Sequence, residues 1–359
     1  LALLSFADHH ITNRIEGRQS ENVHELEGNS RCSGQGLKFD GQSRIFIPVR
    51  IAMSDKNTPL KYLAWAACWG LVVMGLVYGQ AHRRSASDTG SVQMMLPVIL
   101  EAPPGDAEPP AFTREKFELY DAGVAQQIEY LRPDYSPAKI VILVDNTETL
   151  RAVPAEMTKA VTALTANLYQ GDQVMLIAYD RHPEVLEEFT DNRAKVDKAT
   201  RLFRKQGTPR LLDAIQATIN DALRVQIGAS KRVIVLISDG YDLESTTPVK
   251  AVLTDLQREN ILVYILQIQD RTLGAPRRKA LKPEEMVERL TKGTGGRVFP
   301  LKEAETAARE IMREVSERWY QLSYKPQGVN RFNTRRLLIT VNDPKIRLRT
   351  KLEQPGEQP

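Results

Sequence analysis

The sequence predicts an α/β fold built on an open, doubly wound and mostly parallel sheet, with small β segments before and after it. Three observations predict it. Apolar runs of strand length alternate with amphipathic helical stretches from Lys139 to Trp319. Those runs are apolar almost without a break, as strands covered by helices on both faces must be. Two of them stop abruptly on an aspartate, and in such sheets ligands bind beyond the carboxyl ends of the strands.

The alternating region reads in order as follows. "IVILVD" (140–145) is a buried strand, and "PAEMTKAVTALTANLY" (154–169) a helix with Pro154 suited to its first turn. "QVMLIAYD" (173–180) is a strand and "VLEEFT" (185–190) an edge strand. Helices over 193–205 and 211–226 precede the apolar strand "RVIVLISD" (232–239). A helix over 248–260, a strand over 261–269, a helix over 283–294 and a short strand over 296–301 follow, and the last helix covers 303–319. This is a Rossmann-like order of elements.

The flanks have β character. "SVQMMLPVILEA" (91–102) reads as a strand, and "PPGDAEPP" (103–110) as a turn-rich break. "FELYDAGVAQQIEYL" (117–131) reads as two short strands around Asp121-Ala122-Gly123, so 91–132 forms an N-terminal β segment. Strands over 320–326, 335–342 and 346–352 make a C-terminal extension spanning 319–352. The polar residues 353–359 are expected to form a disordered tail.

Residues 1–52 are polar and without period, and the first methionine is Met53. Lys56 and Lys61, the uncharged stretch 62–78 and "GQA" (79–81) then follow in the order of a secretory signal peptide cleaved after Ala81. The expectation is therefore translation from Met53, with 1–52 a non-native upstream segment and 53–81 a signal peptide. The alternative for 53–81 is an uncleaved anchor, since 62–78 sits near the lower length limit for crossing a bilayer. Either places the chain in a secreted, periplasmic or envelope setting. A membrane contact is expected only through that uncleaved segment.

Composition narrows the function classes. The formal net charge is +4, with no clustered basic face of the kind nucleic acid requires. Both cysteines, Cys32 and Cys68, precede residue 81, so the mature chain would have neither disulfide nor thiol chemistry. Only His82 and His182 would remain, which argues against a histidine triad or a zinc site. No nucleophile–base pair, Walker A or zinc-protease motif is legible, so the chain is read as a non-enzyme.

One constellation carries chemistry. Asp145 and Asp239 close two apolar strands at the same edge of the sheet, and neighbouring strands would bring them together. Thr147 and Thr149 alternate with Asp145, and Thr208 lies in a loop entering a helix. Carboxylates and hydroxyls without His or Cys form a hard oxygen site suited to Mg²⁺, or Mn²⁺ in its place. Such an ion can accept a carboxylate from a partner.

These pieces resemble the von Willebrand factor type A domain. The metal-ion-dependent adhesion site of that family has the pattern D-x-S-x-S, then a distant Thr and a distant Asp. "DNTET" is similar with both serines replaced by threonine, "ISDGYD" resembles the D-G-x-D segment, and "GTPRLLDAI" resembles G-T-x-L-x-D-A with one extra residue between Thr208 and Asp213. "TKGTGGRVF" resembles the segment before the last strand, so the resemblance covers about 139–318. The flanks resemble those of the secreted bacterial group called VWFA-related Acidobacterial domain proteins. The resemblance implies that Asp145 and Asp239 hold the metal through water, with Thr147, Thr149 and Thr208 binding directly. It implies a protein-binding module that takes an Asp or Glu of its partner, with Glu148 and Asp242 in the partner-facing loops. The alternative is a structural interaction domain whose site no longer binds metal.

Overall fold

The computed structural model describes residues 92–101, 114–148, 150, 152, 154–226, 228, 231–269 and 281–357. The chain divides into two units, Leu1–His82 and Arg83–Pro359, and every described residue belongs to the second. The signal-peptide or anchor reading, both cysteines, the break at 103–110 and Thr149 lie outside the described residues. Among the described residues no helix is long and apolar enough to cross a membrane.

The central sheet has six strands: β5 (Ala138–Asp145), β6 (Gln173–Tyr179), β7 (Pro183–Thr190), β8 (Lys231–Ser238), β9 (Ile261–Gln267) and β10 (Val298–Pro300). Their order is β10-β9-β8-β5-β6-β7. All pairs are parallel except β6 with β7, which closes one edge antiparallel. The chain adds β6 on one side of β5 and later returns to place β8 on the other. The strand order therefore reverses beside β5, and the crevice that opens there is the ligand position of doubly wound sheets.

Helices cover both faces. Ile140, Ile142 and Val144 of β5 pack with α1 (Pro154–Ala166), α2 (Arg193–Ala199) and α6 (Ala304–Glu317). Val141 and Leu143 pack on the opposite face with α3 (Leu211–Ala217), α4 (Val249–Arg258) and α5 (Pro283–Thr294). The two-residue period of a strand splits one apolar run between two cores, which explains why these strands lack polar alternation.

Element boundaries differ from the sequence expectation in physically telling places. The helix expected over 211–226 is α for its first half and π-helical over Thr218–Leu223. The helix expected over 193–205 stops at Ala199 and tightens into one 3₁₀ turn, Thr200–Leu202. Strand β8 ends at Ser238, which puts Asp239 on the loop.

The flanks are not two separate segments. β1 (Met94–Glu101), β4 (Ile128–Pro133), β11 (Trp319–Tyr324) and β13 (Arg347–Thr350) form one four-stranded sheet, and β2 (Phe117–Asp121), β3 (Val124–Gln126), β12 (Arg335–Val341) and β14 (Glu353–Gln354) another. Leu96, Val98, Leu322 and Tyr324 of the first sheet share a core with Phe117, Leu119 and Leu337 of the second. The expected hairpin forms between β2 and β3, with Ala122 and Gly123 both at positive φ, the requirement of a type I′ turn. β4 then leaves for the other sheet. The tail expected to be disordered instead supplies β14, with Gln354 and Pro355 buried. Its polarity on paper hides the fact that β12 offers it an open edge.

Candidate metal site at the carboxyl edge of the sheet

Asp145 is the last residue of β5 and is 1% exposed. Its Oδ1 accepts from the Thr147 backbone N–H at 3.1 Å and the Thr147 hydroxyl at 2.7 Å. Its Oδ2 lies 3.0 Å from the Tyr179 hydroxyl and 3.1 Å from Ser238 Oγ. Those two hydroxyls are 3.0 Å apart, and Ser238 Oγ also accepts from the Gly240 N–H. All these donors are neutral. Burial pushes the Asp145 carboxyl above its usual range, and the hydrogen bonds from Thr147, Tyr179 and Ser238 pull it back. Tyr179 is pushed well above its usual value, first by burial and then by the charges of Asp145 and Asp239. It stays protonated and acts as a donor.

Asp239 follows β8, the neighbour of β5, and is 5% exposed. Its Oδ1 accepts from the Tyr241 N–H at 2.8 Å. The pairing of Val144 with Ile237 sets Asp145 level with Ser238, one residue short of Asp239. The structure thus brings Asp145, Thr147 and Asp239 to one end of two adjacent strands.

Thr208 reaches the same edge by a different route. The loop 204–210 is tied to the Asp145 loop by Arg204 N to Asn146 Oδ1, Gln206 N to Asn146 O and, at 3.4 Å, Glu148 N to Gly207 O. Gly207 sits at φ +70, and a Cβ there would meet the Asp180 side chain at 3.0 Å. The Thr208 hydroxyl donates to Glu244 Oε2 at 3.2 Å, and Arg210 Nη2 is 3.8 Å from the same oxygen. Glu148 is exposed at the rim. Asp242 looks inward: its Oδ1 accepts from the Leu212 N–H and from Ser245 Oγ, so it fixes the start of α3. Tyr179, Ser238 and Glu244 join the site without a motif in the sequence to mark them. Tyr179 carried no signal beyond a core aromatic.

The donor set fits a hard divalent cation. Asp145 and Asp239 are buried carboxylates at adjacent strand ends, and the hydroxyls of Thr147, Tyr179 and Ser238 that meet Asp145 are neutral, so a dication would bring positive charge to that carboxylate. The hydroxyls of Thr147 and Thr208 each give their proton to a carboxylate, so that the oxygen can act as an acceptor. Among the described residues no three Asp, Glu, His or Cys side chains converge, so the set differs from a carboxylate cage or a zinc site.

A doubly wound sheet with carboxylates and hydroxyls at its switch point defines the class. Residues 140–241 match the sequence model of the von Willebrand factor type A domain. Among solved structures it is similar to an aerotolerance-related membrane protein from Bacteroides fragilis NCTC 9343, at 20% identity and a TM-score of 0.40, over 50% of this chain and 98% of that one. BatB from Bacteroides thetaiotaomicron aligns at 15% identity and a TM-score of 0.40, over 50% of this chain and 98% of that one. A von Willebrand factor type A protein from Catenulispora acidiphila aligns at 12% identity and a TM-score of 0.43, over 67% of this chain and 72% of that one. No curated protein sequence matched.

Proposed function

We propose that the protein is a binding module whose carboxyl-edge site holds Mg²⁺ or Mn²⁺ and takes an acidic side chain of a protein partner. The observation that carries this reading is the pair of buried carboxylates, Asp145 and Asp239, set beside hydroxyls at the sheet's switch point. Asp145, Thr147, Thr149, Thr208 and Asp239 would hold the ion. The bound ion would act as a Lewis acid toward a carboxylate oxygen. The chain's own residues do the rest. Tyr179 and Ser238 hold Asp145 in one orientation, and Asn146 binds the neighbouring loop so that Thr208 stays at the edge. Glu148 at the rim would disfavour acidic partners that approach without a cation to bridge them. The leader-like segment 53–81 supports a secreted or envelope-associated role, and the flanks support a place near the VWFA-related Acidobacterial group.

Thermal unfolding with Mg²⁺ or Mn²⁺ against EDTA tests the site. At a hundredfold excess over Kd the ion is expected to stabilise the fold by about 2.7 kcal/mol. Asp145→Ala is expected to abolish the shift. A wild-type protein that melts identically in metal and EDTA would remove the cation from the reading and leave a metal-free interaction domain.

A further inference from the structure

We propose that Glu244 is a positioning residue of the cation site, holding the Thr208 hydroxyl so that its oxygen lone pairs, and not its proton, face the ion. The inference rests on the reading of this edge as a divalent-cation site. A hydroxyl has one proton and two lone pairs, and it serves as a metal ligand only when the proton points elsewhere. At Thr147 the fold solves this locally, because the proton goes to Asp145 Oδ1 at 2.7 Å. Thr208 has no carboxylate two residues before it. Its proton goes instead to Glu244 Oε2 at 3.2 Å, across to the loop that follows β8. Glu244 does for Thr208 what Asp145 does for Thr147.

The contact is held from several directions. Leu243 N donates to Pro209 O at 3.0 Å, joining the residue before Glu244 to the residue after Thr208. Arg210 Nη2 stands 3.8 Å from Glu244 Oε2 and faces the carboxylate from the Thr208 loop. Beyond Glu244, Asp213 near the start of α3 accepts from the N–H groups of Thr246 and Thr247 and from the Thr247 hydroxyl, which pins the far end of the loop. Thr208 lies in irregular chain before α3, so no helix sets its side-chain direction. Groups that orient metal ligands in this way affect affinity by about 10- to 100-fold.

Mn²⁺ titration of the full chain, followed by electron paramagnetic resonance of the free ion, tests this. Glu244→Ala is expected to weaken Mn²⁺ binding at least about tenfold while leaving the melting temperature in EDTA unchanged. Glu244→Gln keeps an acceptor oxygen without the charge and is expected to retain most of the affinity. Thr208→Ala combined with Glu244→Ala is expected to be no weaker than Thr208→Ala alone, because both changes remove one device. Wild-type affinity in Glu244→Ala, with binding lost in Asp145→Ala, would overturn the role of Glu244 and leave the site standing. Equal loss in Glu244→Gln and Glu244→Ala, or additive loss with Thr208→Ala, would also overturn it, since charge alone would then explain the effect. No saturable Mn²⁺ binding by the wild type would overturn both this inference and the reading beneath it.

Discussion

Asp145 concentrates the physical tension of the site. A carboxylate at 1% exposure, facing neutral donors, loses its hydration and gains no countercharge from those groups. Asp145→Asn should therefore melt higher than wild type in EDTA and lose any metal-dependent shift, which a pair of thermal scans would show. Tyr179→Phe removes a hydroxyl from a fully buried triangle with Asp145 and Ser238, and chemical denaturation should show a loss of about 1–2 kcal/mol. At this scale the sequence exposed the carboxylates and threonines because they interrupt an apolar run. It did not expose Tyr179, because an aromatic ending an apolar strand looks the same whether its hydroxyl is idle or holds a carboxylate. Glu244 stayed hidden because its partner, Thr208, is distant in sequence and the contact exists only once β8 and α3 are in place.

Among the elements, the strand ends matter most, and they were legible to within a residue or two. Parallel strands buried on both faces leave a strong signal, and β5, β6, β8 and β9 fall where apolar runs predicted them. The "GTGG" segment (293–296) ends α5. Gly295, at φ +89, does cap α5, but Gly296 has a second role that no turn signal carries. A Cβ on Gly296 would stand 1.9 Å from the Val263 carbonyl oxygen of β9, so the chain passes flat against the central sheet there. Gly296→Ala should cost about 3 kcal/mol in a urea titration, the scale of forced overpacking.

In the molecule as a whole, the two flanks join and then lock to the α/β domain. Glu314 of α6, 1% exposed, accepts from Arg349 of β13 at 2.6 Å and from the Tyr264 hydroxyl of β9 at 2.9 Å, with Arg297 at 3.4 Å. Glu314→Ala would remove charged hydrogen bonds while leaving Arg349 paired with Glu101 and Arg297 with Glu310, and should destabilise by about 1.5–3 kcal/mol, measured by denaturant unfolding. Lys351 is 2% exposed, with its Nζ donating to Gln257 O at 2.8 Å and Asn260 Oδ1 at 2.7 Å at the end of α4. Burial, aided by the charge of Arg335, lowers its pKa to about 7. Because the folded value lies below the unfolded one, the unfolded chain binds more protons between about pH 7 and pH 10. Stability should rise with pH across that window and be lost as pH falls through 7. Lys351→Met should flatten the slope by up to about one proton in urea titrations at pH 7 and pH 9.

The sequence by itself determined the sheet, its two covered faces and the residue types gathered at the strand ends. Each of these is written in local pattern: period, apolar run length, and carboxylate and hydroxyl residues placed where a strand stops. Only the tertiary structure decided that β1 and β11 are neighbours, that the polar tail becomes β14, and that Glu244 meets Thr208. Those outcomes depend on which distant edges and loops meet once the central sheet has closed, and residue type at one position carries no record of a partner far along the chain.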